Sequence, residues 1–309
     1  MEPVSRLQRV LEAGQFAVTS EVGPPKGTDP VLVTRKGTRL KDYCDALNVT
    51  DNQTAIVRLS SLAGCALLRQ VGVETVMQIV CRDRNRIAIQ SDVLGAIALG
   101  IRNFLCLSGD HQMFGNHPTA KNVFDLDSIQ LIAALKKMRD EKKFLCGDDI
   151  SGEVPIFIGA AENPFADPFE FRAVRLAKKV KAGAQFIQTQ AVYNIPKFAR
   201  FMEMVRERGL DKQVHILAGI IPLRSAGMAR YMQSSVPGCF VPDQVVERMK
   251  GAKVAKEEGI EIALEDIEQL RQVPGVHGIH IMAVGWEEEA VPTLVEKSGL
   301  YPRPEVRPS

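Results

Sequence analysis

The sequence predicts an α/β fold, a single-domain (β/α)8 TIM-type barrel. Short β-rich runs alternate with helical patterns along the chain, which is the signature of a parallel sheet built from βα units. The alternation occurs eight times, and a length of 309 residues suits such a barrel with insertions. Residues 104–107 are apolar without alternation, as in a strand covered on both faces, and they break abruptly into a Gly109 turn that carries Asp110.

The eight predicted strands are short runs rich in branched and aromatic residues. They comprise residues 16–21, 46–50, 75–81, 104–107, 154–158, 185–190, 214–220 and 278–282. In the sixth strand, Gln188 and Gln190 alternate onto one face. Buried amides need hydrogen-bond partners, and the pattern leaves open whether a ligand or the protein and its waters supply them.

Helical periodicity and capping signals fill the intervals between the strands. The predicted helices cover residues 30–40, 60–70, 87–99, 128–139, 167–183, 198–208, 226–233, 244–256, 261–271 and 287–297. Gly100 is placed as a left-handed cap and Asp127 as an N-cap. Asp167 followed by Pro168 is read as an acid at the cap and proline in the first turn. Residues 1–301 form the barrel domain, and the proline-rich tail, residues 302–309, is expected to be disordered or docked on a partner.

Composition excludes several classes of function. The chain has 39 basic and 37 acidic residues, with no dense basic block, which argues against a nucleic-acid surface. No apolar run approaches the roughly 20 residues of a membrane helix, and no signal-peptide core is visible, so a cytoplasmic location is expected. The six cysteines show no metal-ligand spacing, and Cys44, Cys81 and Cys106 are interpreted as core residues.

Polar side chains follow several strands at the point where each ends. Ligands in parallel barrels gather at the carboxyl ends of the strands. The predicted barrel therefore places Glu21, Thr50, Asp110 and Gln190 on one face, together with the Gly285 turn. The long polar loop at residues 108–123 lies at the same face, and loops of that length are often functional.

Five stretches in register resemble the methylenetetrahydrofolate reductase family, from residue 16 to residue 282. They are the strand-Glu-x-x-Pro-Pro-Lys pattern of residues 16–26, Leu47-Asn48-Val49-Thr50-Asp51-Asn52, Leu107-Ser108-Gly109-Asp110, Ala182-Gly183-Ala184 with Thr189-Gln190, and Ala218-Gly219-Ile220-Ile221-Pro222. The resemblance implies a flavoprotein, with FAD or FMN, that passes hydride between reduced flavin and the methylene bridge of 5,10-methylenetetrahydrofolate.

The resemblance also implies roles for individual residues. Glu21 maps to the general acid that protonates the departing nitrogen as the bridge opens to an iminium ion. Asp110 maps to the carboxylate that holds the pterin and offsets its developing positive charge, and Gln190 maps to a pterin amide contact. The positions that would hold the flavin are Thr50, Gln78, Ser108, Asn163 and Lys179.

The chain departs from its relatives in the flavin region. Ser108 stands where relatives have arginine, Gln78 where one has histidine, and Arg172 and Arg175 where Asp and Asn occur. Near the carboxyl terminus Met282 and Trp286 replace an aromatic residue and an arginine. These departures fall on the phosphate and adenosine contacts, which leaves FAD and FMN both open.

The sequence leaves two other functions open, and it does not identify the electron donor. A non-redox barrel subunit that binds folate or a partner is the alternative from another class. A Schiff-base aldolase is weaker, because no lysine stands inside an apolar strand. The electron donor is expected to be NAD(P)H or a partner iron–sulfur subunit, in an oligomer or hetero-complex.

Overall fold

Eight parallel strands close into a barrel in sequence order, which confirms the predicted fold class. The computed structural model describes residues 2–236 and 238–306. Each strand pairs with its neighbours along the chain, and the last pairs with the first. The strands are β1 (Ala17–Val22), β2 (Ala46–Val49), β3 (Thr75–Val80), β4 (Asn103–Leu107), β5 (Phe157–Glu162), β6 (Phe186–Ala191), β7 (His215–Ile220) and β8 (Gly278–Ile281).

The helices surround the barrel, with two short 3-10 turns, Gln53–Ala55 and Gln112–Phe114, in the loops after β2 and β4. They are α1 (Arg6–Glu12), α2 (Val31–Leu40), α3 (Ser61–Gln70), α4 (Arg86–Ala98), α5 (Ser128–Glu141), α6 (Phe171–Ala182), α7 (Ile195–Glu207), α8 (Ala226–Ser235), α9 (Asp243–Gly251), α10 (Ala255–Leu270) and α11 (Glu287–Lys297). No helix within the described ranges is long and apolar enough to cross a membrane.

Two capping predictions are confirmed. Gly100 follows α4 with φ +82°, a backbone conformation that residues other than glycine rarely adopt. Asp127 caps α5 by accepting the backbone N–H of Gln130 at 2.8 Å, and the Gln130 side chain accepts the backbone N–H of Asp127 in return.

The predicted boundaries around β5 and α6 are wrong. The strand begins at Phe157, three residues later than expected, and includes Gly159, whose missing side chain makes room for the ring of Phe186. A Cβ at position 159 would lie 2.2 Å from that ring. The helix begins at Phe171 and not at Asp167, because residues 168–172 form successive turns, with Phe169 packed against the core.

Two other helix predictions need correction. The expected helix of residues 244–256 ends at Gly251, and α10 then begins at Ala255, six residues earlier than predicted. Helix α1 was not predicted from the sequence. Its Leu7, Val10 and Leu11 are almost fully buried and close the amino-terminal end of the barrel.

The barrel interior changes from apolar to polar along the strands. At the amino-terminal ends, Phe157 and Phe186 stack with ring centroids 5.0 Å apart within a layer of aliphatic side chains. The layer above it is polar, and none of its members is more than 2% exposed: Thr19, Asn48, Gln188 and His280. Polar groups so deep in a barrel need partners, and here they bind one another.

The described part of the tail packs on its own barrel, contrary to the expectation of disorder or a docked partner. Arg303 is 5% exposed at its side chain and pairs with the fully buried Asp45 at 2.6 Å. Arg303 also donates to the carbonyl oxygens of Phe16 and Leu300, and Arg6 donates to that of Pro304. Residues 302–306 therefore belong to the folded body, and residues 307–309 lie outside the described ranges.

The cysteine predictions are confirmed for the three residues named. Cys44, Cys81 and Cys106 are buried free thiols in the main core cluster. Burial raises the pKa of Cys81 to about 12, because a thiolate is poorly solvated there. Such thiols pack as small apolar groups.

Candidate active site

A cavity of about 320 Å³ opens at the carboxyl ends of the strands. It contains five of the eight site residues predicted from the sequence: Glu21, Gln78, Ser108, Asp110 and Gln190. A larger cleft of about 600 Å³ lies at the opposite, amino-terminal end, lined by charged residues around Asp45 and Arg303. Barrel enzymes carry their chemistry at the carboxyl ends, so the smaller cavity is the candidate site.

Glu21 projects from the end of β1 into this cavity, with its side chain 22% exposed. Its Oε1 atom accepts a hydrogen bond from Nε2 of Gln78 at 3.0 Å. The same oxygen lies 3.5 Å from Nε2 of His280. Within the described ranges no hydrogen bond reaches Oε2, so one oxygen is held by the wall and the other is available to a substrate.

The polar layer beneath Glu21 supplies hydrogen-bond partners to one of the two amides of β6. Gln188 exchanges hydrogen bonds with Asn48 at 2.6 and 3.1 Å and donates to the Thr19 hydroxyl at 3.0 Å. Its amide is therefore satisfied by the protein. Gln190 lies one step nearer the mouth, lines the cavity, and its side chain makes no hydrogen bond with any described residue. Gln190 is the amide left available to a ligand.

Asp110 stands on the loop after β4 and contacts the loop after β2. Its Oδ2 accepts the backbone N–H of Thr54 at 3.2 Å, and the backbone carbonyl of Asp110 accepts from Arg82 at 3.0 Å. Gly115 lies against Ala55 so closely that a Cβ there would fall 1.8 Å from the Ala55 carbonyl oxygen. The two loops thus form one packed rim on this side of the cavity.

The loop after β2 is strained. Asn52, Thr54 and Ala55 all have positive φ, at 44°, 55° and 56°. Residues other than glycine rarely adopt a positive φ. Those that do are often found at functional sites, where the surrounding structure holds the backbone in place. In this conformation the Thr54 N–H donates to Asp110.

Arg82 and His280 are site residues that the sequence analysis missed. Arg82 is 3% exposed and bridges the two rim loops by donating to the carbonyl oxygens of Asn52 and Asp110. Its signal in the sequence was a charged run directly after β3. The signal for His280 was its spacing. It lies two residues from Gly278 and two from Met282, so the three share the face of the strand that points into the barrel.

Three predicted flavin contacts lie outside this cavity lining: Thr50, Asn163 and Lys179. Thr50 follows β2 at the mouth, and its buried hydroxyl has no hydrogen-bond partner in the described part of the chain. Asn163 caps the turn after β5 by accepting the N–H of Phe165 at 3.0 Å. Lys179 lies behind β5, on α6.

Lys179 is engaged in a buried ion pair. Its Nζ lies 2.7 Å from Oε2 of Glu162, and the two side chains are 6% and 1% exposed. Burial lowers the pKa of Lys179, an effect that the neighbouring Glu162 carboxylate opposes. A lysine held there does not face the cavity, so the arrangement gives no support to a Schiff-base aldolase.

Two buried polar atoms, the Thr50 hydroxyl and Oε1 of Gln53, have no hydrogen-bond partner among the described residues. A flavin presents several acceptors and donors along one edge, and such an edge would satisfy atoms of this kind. Among the described residues, no group of three or more His, Cys, Asp or Glu side chains is placed to hold a metal ion.

Comparison with known proteins identifies relatives of this chain. Residues 6–299 match the family model described as methylenetetrahydrofolate reductase. Methylenetetrahydrofolate reductase 2 of Schizosaccharomyces pombe is 27% identical over 243 residues, which are 74% of this chain and 36% of that protein. Methylenetetrahydrofolate reductase (NADH) 1 of Arabidopsis thaliana is 25% identical, over 96% of this chain and 50% of its own length. The chain thus spans half or less of these curated relatives.

A solved structure shares the fold. An uncharacterized protein from Clostridium thermocellum, described as binding two copies of 5-methyl-5,6,7,8-tetrahydrofolic acid, superposes with a TM-score of 0.68 at 13% identity. The match covers 95% of this chain and 99% of that one. At such low identity the likeness establishes the barrel alone. The family match confirms the resemblance read from the five sequence motifs.

Proposed function

The chain belongs to the methylenetetrahydrofolate reductase family, and on that premise we propose that it interconverts 5,10-methylenetetrahydrofolate and 5-methyltetrahydrofolate with a bound flavin. One observation supports this proposal above the others. The cavity brings together an acid, Glu21, a second carboxylate, Asp110, and an unpaired amide, Gln190. The folate bound by the Clostridium thermocellum protein is a product of the same chemistry.

Glu21 is the proton donor in this proposal. The methylene bridge must open to an iminium ion before it accepts hydride, and opening requires protonation of the departing nitrogen. Gln78 holds Oε1 from the wall side with a hydrogen bond, and the His280 ring lies 3.5 Å from the same oxygen, which leaves Oε2 to face the substrate. The Gln78 N–H stabilises the carboxylate that remains after the proton has left.

Asp110 and Gln190 bind the pterin. A pterin ring carries amide-like donors and acceptors, which Gln190 can pair in both directions. Asp110 adds a negative charge at the rim, and this charge opposes the positive charge that develops as the bridge opens. The Thr54 N–H and the Arg82 bridge fix the loop that carries Asp110.

A bound flavin would supply the hydride, and Thr50, Gln78 and Ser108 are the residues proposed to hold it. Asn163 and Lys179 are proposed to support the flavin from the carboxyl end of β5. There Lys179 neutralises Glu162 and keeps the end of the strand in place. The departures at Ser108, Arg172 and Arg175 leave FAD and FMN as alternatives. NAD(P)H or a partner iron–sulfur protein is proposed as the electron donor.

The oxidation of 5-methyltetrahydrofolate with an artificial electron acceptor tests the proposal. The purified protein is loaded with FAD or FMN, and the product is identified by chromatography. Turnover that requires flavin supports a reductase. Stoichiometric folate binding without turnover, with either flavin present, would favour the non-redox binding barrel instead.

A further inference from the structure

His280 is buried in the interior of the barrel, directly beneath Glu21. It is 2% exposed, and its two ring nitrogens face different partners. Nδ1 lies 2.9 Å from the Thr19 hydroxyl, and Nε2 lies 3.5 Å from Oε1 of Glu21. A neutral imidazole carries its proton on one nitrogen only, so these partners decide which nitrogen is the donor.

The Thr19 side of the ring favours an unprotonated Nδ1. The Thr19 hydroxyl already accepts a hydrogen bond from Gln188 at 3.0 Å, which leaves its own proton to donate. Two acceptors are within reach: Nδ1 of His280 at 2.9 Å and the carbonyl oxygen of Ile279 at 3.4 Å. The nearer acceptor makes the better hydrogen bond, so the hydroxyl proton points at Nδ1.

The Glu21 side leads to the same assignment independently. A lone pair on Nε2 would face the carboxylate oxygen and repel it, whereas an N–H at that position attracts it. Oε1 also accepts the Gln78 amide N–H at 3.0 Å, and Nε2 of His280 faces the same oxygen at 3.5 Å. Both ends of the imidazole therefore call for a proton on Nε2.

We propose that His280 is a positioning residue for Glu21: Thr19 fixes it as the Nε2–H tautomer, and it holds Oε1 so that Oε2 meets the substrate. This inference rests on the proposed function, because it assigns His280 to the proton-donating step. His280 touches Glu21 and not the reacting atoms. Its effect is confined to the stage at which Glu21 becomes a carboxylate.

The tautomer can be measured without any turnover. The protein is labelled with ¹⁵N-histidine, and the two ring nitrogens of each of its five histidines are distinguished by long-range ¹H–¹⁵N correlation. The His280→Gln variant assigns the signal. We expect a protonated Nε2 and an unprotonated Nδ1 at neutral pH, and we expect Thr19→Val to shift this balance. A proton on Nδ1 in the parent protein overturns the proposal.

Kinetics of the separated half-reactions test the role. His280→Leu removes the imidazole edge that faces Oε1 at 3.5 Å and should slow the folate half-reaction by about tenfold, through kcat and not KM, because the carboxylate formed on proton transfer loses a favourable electrostatic contact. Flavin reduction should stay near the parent rate. His280→Gln should recover part of the rate, because an amide N–H can replace Nε2–H. Thr75→Val, a change at an equally buried threonine at the far end of β3, is the matched control.

The outcomes separate this inference from the proposed function. A parent protein that reduces the folate while His280→Leu keeps the parent rate overturns the role of His280 alone. If His280→Leu fails to fold, Thr19→Val and the tautomer measurement still decide. A parent with the Nε2–H tautomer but no folate half-reaction overturns the proposed function, and the positioning role of His280 with it.

Discussion

Glu21 is the residue on which the proposed chemistry depends. Glu21→Gln keeps the size of the side chain and can still bond to its neighbours, but it cannot supply a proton. We expect the folate half-reaction to fall by at least about 10²-fold, while reduction of the bound flavin is nearly unchanged. Stopped-flow measurement of each half-reaction checks this. A variant that reduces 5,10-methylenetetrahydrofolate at close to the parent rate would remove Glu21 from the mechanism.

Gln190 is predicted to contact the folate. It lines the cavity without a side-chain partner in the described ranges, so Gln190→Glu should weaken folate binding and leave thermal stability almost unchanged. Titration of folate and a melting curve give the two quantities. Gln188→Glu offers the contrast, because Gln188 is bonded inside the barrel and its replacement should lower the melting temperature. Equal folate affinity together with a large loss of stability at position 190 would show a structural role.

His215 is predicted to make the stability of the protein depend on pH. Burial and the nearby His277 lower the pKa of His215 to about 4, below the 6.5 expected in the unfolded chain. The unfolded state therefore takes up a proton first as the pH falls, and stability present above pH 6.5 is lost toward pH 4. The loss is roughly 2–3 kcal/mol.

Denaturant titrations at pH 7.5 and pH 5 measure this loss. The drop should be smaller in His215→Gln than in the parent, whereas His117→Gln, a change at an exposed histidine, should leave it unaltered. Asp266, whose pKa is raised to about 7 by burial, acts in the opposite direction, so the comparison between variants isolates His215. Equal pH dependence in His215→Gln and the parent would contradict the assignment.

Five of the eight residues predicted for the site line one cavity, because strand ends are visible in a sequence. Glu21, Asp110 and Gln190 follow apolar runs, and the barrel brings such positions together. His280 escaped notice because its neighbours are apolar and it lies inside the last strand. Which of the two glutamines is free could not be known either, since Gln188 is paired by Asn48, which is 140 residues away in the chain.

At the scale of elements, the carboxyl-terminal tail is predicted to stabilise the barrel. Arg303→Ala would leave the fully buried Asp45 carboxylate with the Val18 N–H and the longer contact to Arg6. Removing one partner of a buried ion pair typically costs about 3–5 kcal/mol. Urea unfolding measures the change.

Arg35→Ala is the control for this prediction, because its pair with Glu288 is solvent-exposed and such pairs contribute little. The double variant Asp45→Asn with Arg303→Leu should recover part of the loss, since no buried charge is then left unpaired. If Arg303→Ala destabilised the protein no more than Arg35→Ala, the tail would not be part of the folded body.

Element boundaries were hardest to predict where tertiary packing decides them. Gly159 reads locally as a turn residue, yet it lies inside β5 because Phe186 occupies the space of its missing side chain. The amino-terminal α1 shows mixed charged and apolar residues, and only the open end of the barrel gives Leu7 and Leu11 a place to be buried. The strongly patterned caps at Gly100 and Asp127 were local and therefore predictable.

In the whole molecule, the contacts that stabilise the barrel and the residues of the candidate site lie at opposite ends. Its amino-terminal end is sealed by α1, stacked aromatic rings and the Asp45 pairs, whereas its carboxyl-terminal end carries the strained loop, the rim contacts and the cavity. The polar layer around Gln188 and His280 connects the two. The chain spans half or less of the length of the eukaryotic relatives named above.

A single-turnover experiment is the most direct test of the proposed reductase activity. The flavin-loaded protein is reduced without air and mixed with 5,10-methylenetetrahydrofolate, and the return of the oxidised flavin spectrum is followed together with the formation of 5-methyltetrahydrofolate. We predict that one equivalent of flavin is oxidised for each equivalent of product. Reduced flavin that persists in the presence of bound folate, with no product formed, would contradict the account.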